Sequence, residues 1–229
     1  MCGLYSFRSS PEEVRSIFEY PEDAQFPPRP YVAPNQPIAI VRMQNGARQF
    51  QLVRWGLIPA WVKEPRPGKP LINARSETVF EKPSFKSSIK RRRCLIPADG
   101  FYEWTGTVPG RKQPFHIHRP DGGVFAFAGL WDHWLSADGS EMETAAIITT
   151  VANDALQPIH HRMPVVIHPQ DFDAWLDTDE TRVDDAARLM RPADNDYFVA
   201  EPTEMERPSR PTKEKPAPKP KNTGQLDLL

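Results

Sequence analysis

The feature that most constrains the fold is a series of short alternating apolar segments, at residues 38–42, 50–55, 115–118, 124–134 and 144–150. Alternation with a period of two puts one set of side chains on each face of a pleated strand, so each segment reads as a strand. Turn chemistry separates them: Asn45-Gly46, Asp121-Gly122-Gly123 and Asp138-Gly139 supply residues that tolerate positive φ. Helical patterns are confined to 11–20, 83–91, 169–176 and 183–190, with Pro11, Pro83 and Pro169 placed for a first helical turn. Strands in direct succession, with helices set between groups of them, predict an α+β domain around a largely antiparallel sheet able to close into a barrel, not a doubly wound fold. The chain carries no GxGxxG, no P-loop and no internal repeat.

With 39% apolar residues, six Trp and twelve Phe, the 229 residues can bury one substantial core. From Thr203 the composition turns to Pro, Lys, Glu and Ser, which cannot bury enough surface to fold. One domain over 2–202 and a disordered tail over 203–229 are therefore expected. The first residues lack a basic flank followed by an apolar run, and no segment approaches a membrane span, so a soluble cytoplasmic protein is expected. Two cysteines, Cys2 and Cys94, are too few for a disulfide framework, and Cys94 reads as a small buried hydrophobe. A net charge of −1 hides an uneven distribution, with Lys86, Lys90, Arg91, Arg92 and Arg93 in one short run. That run is either a solvated helix end or one wall of a groove for nucleic acid.

Chemistry gathers first at Met1-Cys2-Gly3. Removal of Met1 would leave Cys2 with a free α-amine beside its thiol. Such a 1,2-aminothiol condenses with an aldehyde to an imine, and thiol attack then closes a five-membered thiazolidine. Both groups titrate near neutrality, at about 7.7–8.0 for an α-amine and about 8.5 for a thiol in model peptides. The plain alternative is a cysteine that happens to follow the start. Four further segments carry polar groups in site-like settings. Residues 71–78 hold Asn73, Arg75 and Glu77. Residues 100–104 set Glu103 among aromatics, where desolvation suits it to proton transfer. Residues 159–164 offer His160, His161 and Arg162. Residues 54–61 combine Arg54 with Trp55 and Trp61, a cation and aromatics fit to hold phosphates and stack on unpaired bases. Each has a duller explanation: Asn73 a turn or cap, Glu103 a surface strand position, His160 a satisfied loop residue, Trp55 and Trp61 core. His116 and His118 share one strand face but lack a third ligand, so no metal is expected.

Taken in order, Met1-Cys2-Gly3, Arg54-Trp55-Gly56-Leu57-Ile58-Pro59, residues 72–78, residues 92–104, Phe127-Ala128-Gly129-Leu130-Trp131 and His160-His161-Arg162-Met163-Pro164-Val165 resemble the SRAP family of SOS-response-associated, abasic-site-processing proteins. The resemblance runs over about residues 2–200 and implies a mixed fold with a central barrel-like sheet. It implies crosslinking to abasic sites in single-stranded DNA through the processed Cys2, with no metal or organic cofactor. By motif, Asn73 would position the cysteine and the sugar, Glu103 would move protons at the amine and carbinolamine, and His160 would protonate the sugar oxygen. Arg75 would hold a flanking phosphate, with Arg54, Trp55 and Trp61 as further strand contacts.

Two positions depart from the family pattern: Leu4 stands where many relatives have arginine, and His161 where an acidic or amide residue is common. The final Gln225-Leu226-Asp227-Leu228-Leu229 resembles a sliding-clamp-binding pentapeptide, in which Gln225, Leu226, Leu228 and Leu229 would be the anchors. Two other functions fit the same residues. One is a self-processing cysteine peptidase built on cysteine, histidine and glutamate; the other is a non-covalent single-stranded DNA-binding module. A monomer, associated with the nucleoid when bound to DNA, is expected.

Overall fold

Asn45 and Gly46 both adopt positive φ, 52° and 77°, and close a two-residue hairpin of the kind their identities favour. That hairpin starts the central sheet of the computed structural model, which describes residues 2–64, 70–106, 112–178 and 183–205. Its strands among those residues are β1 (Tyr5–Phe7), β2 (Arg29–Val32), β3 (Pro37–Gln44), β4 (Ala47–Trp55), β5 (Asn73–Arg75), β6 (Arg93–Ala98), β7 (Gly100–Thr105), β8 (Gln113–His118), β9 (Phe125–Leu135), β10 (Glu141–Val151), β11 (Arg162–Pro164), β12 (Val166–Ile167) and β13 (Val199–Pro202). The helices are α1 (Pro11–Phe18), α2 (Lys86–Arg91), α3 (Phe172–Leu176) and α4 (Val183–Leu189), with a short 3-10 turn at Pro169–Asp171.

Five strands form a closed ring. β4 pairs with β3, β3 with β6, β6 with β9, β9 with β10, and β10 returns to β4. The closing pair is parallel, Thr144 opposite Arg54, and β5 continues that parallel edge with Ile147 opposite Asn73. The expected barrel is present, and these two pairings are its exceptions to antiparallel order. They arise because the chain leaves β4 and returns in β5 along the same side of β10. A second sheet, ordered β13-β8-β7-β1-β2, is antiparallel throughout. Only Asp99 separates β6 in the barrel from β7 in this smaller sheet.

The inner faces of the two sheets meet through aromatic rings. Tyr5 lies edge-on to Trp55 at 5.4 Å and to Phe127 at 5.8 Å, and Phe101 lies edge-on to Phe127 at 6.0 Å. All four are buried, and each such edge contact is worth about 0.5–1.5 kcal/mol beyond the area it buries. Helix α1 starts at Pro11, with Ser10 accepting from the Glu13 N–H, and turns Val14 and Phe18 inward so that Phe18 stacks on Phe172 of α3.

Helix α2 begins at Lys86, three residues later than Pro83 suggested, because residues 78–85 form successive turns that precede it. The basic run is not one surface either. Arg93 is 1% exposed, and its guanidinium donates to the carbonyls of Ile89, Trp175 and Asp177, closing the ends of α2 and α3. Cys94 is fully buried, as expected. Of the tail, only 203–205 fall among the described residues; 206–229, including Gln225–Leu229, lie outside them. Among the described residues no helix is long and apolar enough to cross a membrane.

Candidate functional site

The start of the chain is placed by β1. Tyr5 is opposite Phe101 and Ser6 opposite Gly100, and the Tyr102 N–H donates to the Leu4 carbonyl at 3.0 Å. Continued two residues beyond the Tyr5–Phe101 pair, the antiparallel register sets Gly3 opposite Glu103. From the barrel, Asn73 donates through Nδ2 to the Cys2 carbonyl at 2.9 Å. Cys2 is thus held where the smaller sheet and the barrel meet, with Glu103 from one and Asn73 from the other.

Both titrating groups there are buried, Cys2 at 2% exposure and Glu103 at 4%. Burial pushes the Cys2 thiol well above its ordinary range, and the Glu103 charge pushes it further, so the sulfur is a neutral thiol at physiological pH. Burial likewise raises the Glu103 carboxyl above its ordinary range. Asn73 Oδ1 is buried and has no hydrogen-bond partner among the described residues, leaving an acceptor at the Cys2 carbonyl.

β10 carries β5 on one edge and β11 on the other, with Thr149 opposite both Arg75 and Pro164. The turn before β11 therefore brings His160 two strands from Asn73. The Arg162 N–H donates to His160 Nδ1 at 3.0 Å, and His161 stacks on the ring with centroids 4.4 Å apart. Burial lowers the His160 pKa, which keeps the ring neutral at neutral pH. Arg162 donates to both oxygens of Glu77, at 2.6 and 3.0 Å, and to Thr149 O at 2.7 Å and Thr149 Oγ1 at 3.1 Å. This pairing ties the loop after β5 to the His160 turn. Both residues stand in motif segments, but nothing in the sequence alone pairs them with each other.

The remaining candidates separate. Arg75 is exposed on the same side of β5 as Asn73, as the period of two requires. Arg54 lies three residues back along the same edge of β10, partly exposed, with Nη2 donating to Asn35 Oδ1 at 2.5 Å. Trp61 is 65% exposed. Trp55 is a core residue: fully buried, it donates from Nε1 to the Ile72 carbonyl at 3.0 Å and offers no ring face to a base.

Fold and site together define a small closed-barrel protein whose candidate nucleophile stands at the start of the chain, between an amide and a buried carboxylate. The chain belongs to the SOS response associated peptidase (SRAP) family, whose model matches residues 1–206. It is 37% identical over 203 residues to the abasic site processing protein YoqW of Bacillus subtilis (strain 168), covering 87% of this chain and 91% of that one. It is 35% identical over 178 residues to the abasic site processing protein HMCES of Gallus gallus, covering 67% of this chain and 53% of that one. A crystal structure of a protein from Bacteroides thetaiotaomicron superposes with a TM-score of 0.79 at 28% identity, covering 92% of this chain and 97% of that one.

Proposed function

We propose that this protein recognises abasic sites in single-stranded DNA and captures them through Cys2 after Met1 is removed. The observation that carries the reading is the setting of Cys2, its carbonyl held by Asn73 and its thiol beside the buried Glu103. The names borne by the relatives point to the same lesion.

The chemistry starts at the ring-opened sugar, whose C1′ is an aldehyde. The Cys2 amine adds to C1′, water leaves, and an imine forms. The thiol then adds across the C=N bond: sulfur bonds to C1′, the thiol proton passes to nitrogen, and the net reaction releases one water. A neutral thiol favours this order, with the amine adding first. Glu103 takes the ammonium proton and returns it to the departing hydroxyl. His160, a neutral ring held through Nδ1, donates a hydrogen bond from Nε2 to the sugar oxygen as the ring opens, stabilising it until the proton shed by the C1′ hydroxyl reaches it. Closing the thiazolidine removes the imine, which would otherwise draw electrons and permit β-elimination of the strand. Arg75 holds a flanking phosphate, while Arg54 and Trp61 contact the strand beyond it. A thiol pushed up by burial makes a poor peptidase nucleophile, which weighs against the alternative reading. The Gln225–Leu229 segment is proposed to dock on a sliding clamp, and deletion of those five residues would then abolish clamp binding.

The test is incubation with single-stranded DNA carrying one abasic site, followed by a denaturing gel beside Cys2→Ala. A heat-stable shifted band that requires Cys2 is expected. Its absence, from protein shown by intact mass to have lost Met1, overturns the covalent mechanism.

A further inference from the structure

A strand of three residues at the start of a chain frays at low cost, so something has to hold β1 if its end is to stand at a defined place. Part of the hold lies on the face of the smaller sheet opposite Glu103, since Ser6 and Gly100 alternate with Tyr5, Phe101 and Glu103. Asp99, 5% exposed, accepts from the backbone N–H groups of Arg8 and Ser9, the latter at 3.1 Å, while its own N–H donates to the Ser6 carbonyl at 3.0 Å. Arg8 Nε also faces its carboxylate at 3.5 Å. At the next residue, the first of β7, Gly100 leaves room for His116 to reach across the strand, and His116 Nε2 lies 3.3 Å from Ser6 Oγ. A Cβ at Gly100 would stand 2.2 Å from His116 Nε2 and 2.9 Å from Ser6 Oγ, so the contact requires glycine there. Burial, with His118 and Arg8 nearby, pushes the His116 pKa down to about 4, and Tyr102 stacks on the ring at 4.8 Å. The imidazole is therefore neutral and fixed.

We propose that Asp99, Gly100 and His116 form an anchor for β1 that sets where the reactive terminus stands relative to Glu103 and Asn73, an inference that rests on the function proposed above. These are positioning residues. They touch neither the lesion nor Cys2, but a strand that slips by one residue moves its end by about 3.3 Å and reverses which side chains face inward. Anchoring at Ser6, Arg8 and Ser9 leaves three residues between the clamp and Cys2, and Tyr5, fully buried, fixes the end of that span next to the clamp.

Ser6→Ala and Asp99→Asn test the anchor in the full chain. At saturating abasic single-stranded DNA, adduct formation should slow about tenfold to a hundredfold, because small misplacement of a reacting group costs that much. The DNA concentration giving half the maximal rate should not change, since the phosphate contacts lie elsewhere. The fraction of adduct trapped as imine by borohydride should rise, because ring closure is the step that needs the thiol in place. A purely structural role predicts none of these splits. Independently of DNA, the Cys2 thiol should react with an aromatic disulfide reagent about fivefold to tenfold faster in either variant, the opening equilibrium having lost one hydrogen bond. Mass spectrometry distinguishes Cys2 from Cys94. Adduct rate and thiol labelling that both match the native protein, in variants with native circular dichroism, overturn the anchor. If the native chain itself forms no Cys2-dependent adduct, the proposed function fails, and thiol labelling still decides the anchor. Should Asp99→Asn not fold, Ser6→Ala, which removes the hydroxyl contacts to His116 and Tyr102 and leaves the backbone bonds of β1 in place, decides alone.

Discussion

Asn73 lies in β5 beside the barrel and Cys2 just before β1 of the smaller sheet, and the 2.9 Å hydrogen bond from the Asn73 amide to the Cys2 carbonyl joins barrel to chain start. That single bond fixes the peptide next to the proposed nucleophile. Asn73→Asp replaces the donor with a carboxylate facing a carbonyl oxygen. The adduct rate should fall on the order of 100-fold, as for other small displacements of reacting groups. Stability should fall by about 1–3 kcal/mol, the cost of leaving a buried acceptor without its donor. Single-turnover time courses run beside thermal melts separate the two effects, and a native adduct rate in this variant would remove Asn73 from the mechanism.

The two tryptophans of the 54–61 segment should behave in opposite ways. Trp55 is fully buried against Tyr5 and donates to the Ile72 carbonyl, so Trp55→Ala should cost about 3–5 kcal/mol of stability. Trp61 is 65% exposed, so Trp61→Ala should leave the melting temperature almost unchanged. If its ring stacks on a base, that variant should weaken single-stranded DNA binding by about 1–3 kcal/mol. Fluorescence anisotropy with a labelled oligonucleotide reads the second effect and denaturant melts the first. Equal affinity in Trp61→Ala would place the strand elsewhere.

How far the sequence carries follows from which strands alternate. β3, β4, β8, β9 and β10 were legible from period-two patterns and from the Asn45-Gly46 and Asp138-Gly139 turns. β6 was not, because Arg93 to Ala98 are buried on both faces and show no alternation. β1, β5, β11 and β12 are too short to show a period, and they exist because β9, β10 and β7 offer partners distant in sequence. Cys2, Asn73, Glu103 and His160 could be named as candidates from their motifs, but pairings such as Arg162 with Glu77 or His116 with Ser6 depend on strand register, which no local pattern encodes. Trp55 illustrates the limit. A tryptophan beside an arginine suits a strand contact or a core equally well until the barrel closes around it.

The pH dependence of capture should report Glu103. Burial raises its pKa, and a base must be ionised to work, so the adduct rate should climb with pH along a limb centred above the ordinary carboxylate range. The sign of the stability effect runs the other way. A carboxyl whose folded pKa is raised contributes stability below its unfolded value and loses that contribution as pH rises through the folded one. Protonating Glu103 therefore favours the fold while it stops the chemistry. Rates measured with melts at each pH should show activity falling on the acid side before unfolding begins. Glu103→Gln should lose the limb and run about 100-fold to 10,000-fold slower, the range for removal of a general acid–base group. A limb that persists in this variant would assign the base to another group.

The ion pair between Arg162 and Glu77 should couple stability to the His160 turn. The Arg162 side chain is 8% exposed and that of Glu77 44%, so the buried partner is the guanidinium. The hydrogen bonds from Arg162 hold the Glu77 pKa below the ordinary carboxylate range. A carboxyl lowered in this way contributes stability above its unfolded pKa and loses it as pH falls through the folded value. Acid below the ordinary carboxylate range should therefore loosen this corner first. Glu77→Gln keeps the shape but removes the charge, and with solvent screening the exposed side of the pair its cost should be about 1–2 kcal/mol. Arg162 also donates its backbone N–H to His160 Nδ1, so a shift of the arginine frees the imidazole. Adduct formation in Glu77→Gln should slow more than DNA binding weakens, and the acid slope of the melting temperature should flatten relative to the native chain. A double-mutant cycle with Arg162→Met measures the coupling, and a coupling near zero would mean that the two residues meet without holding the turn.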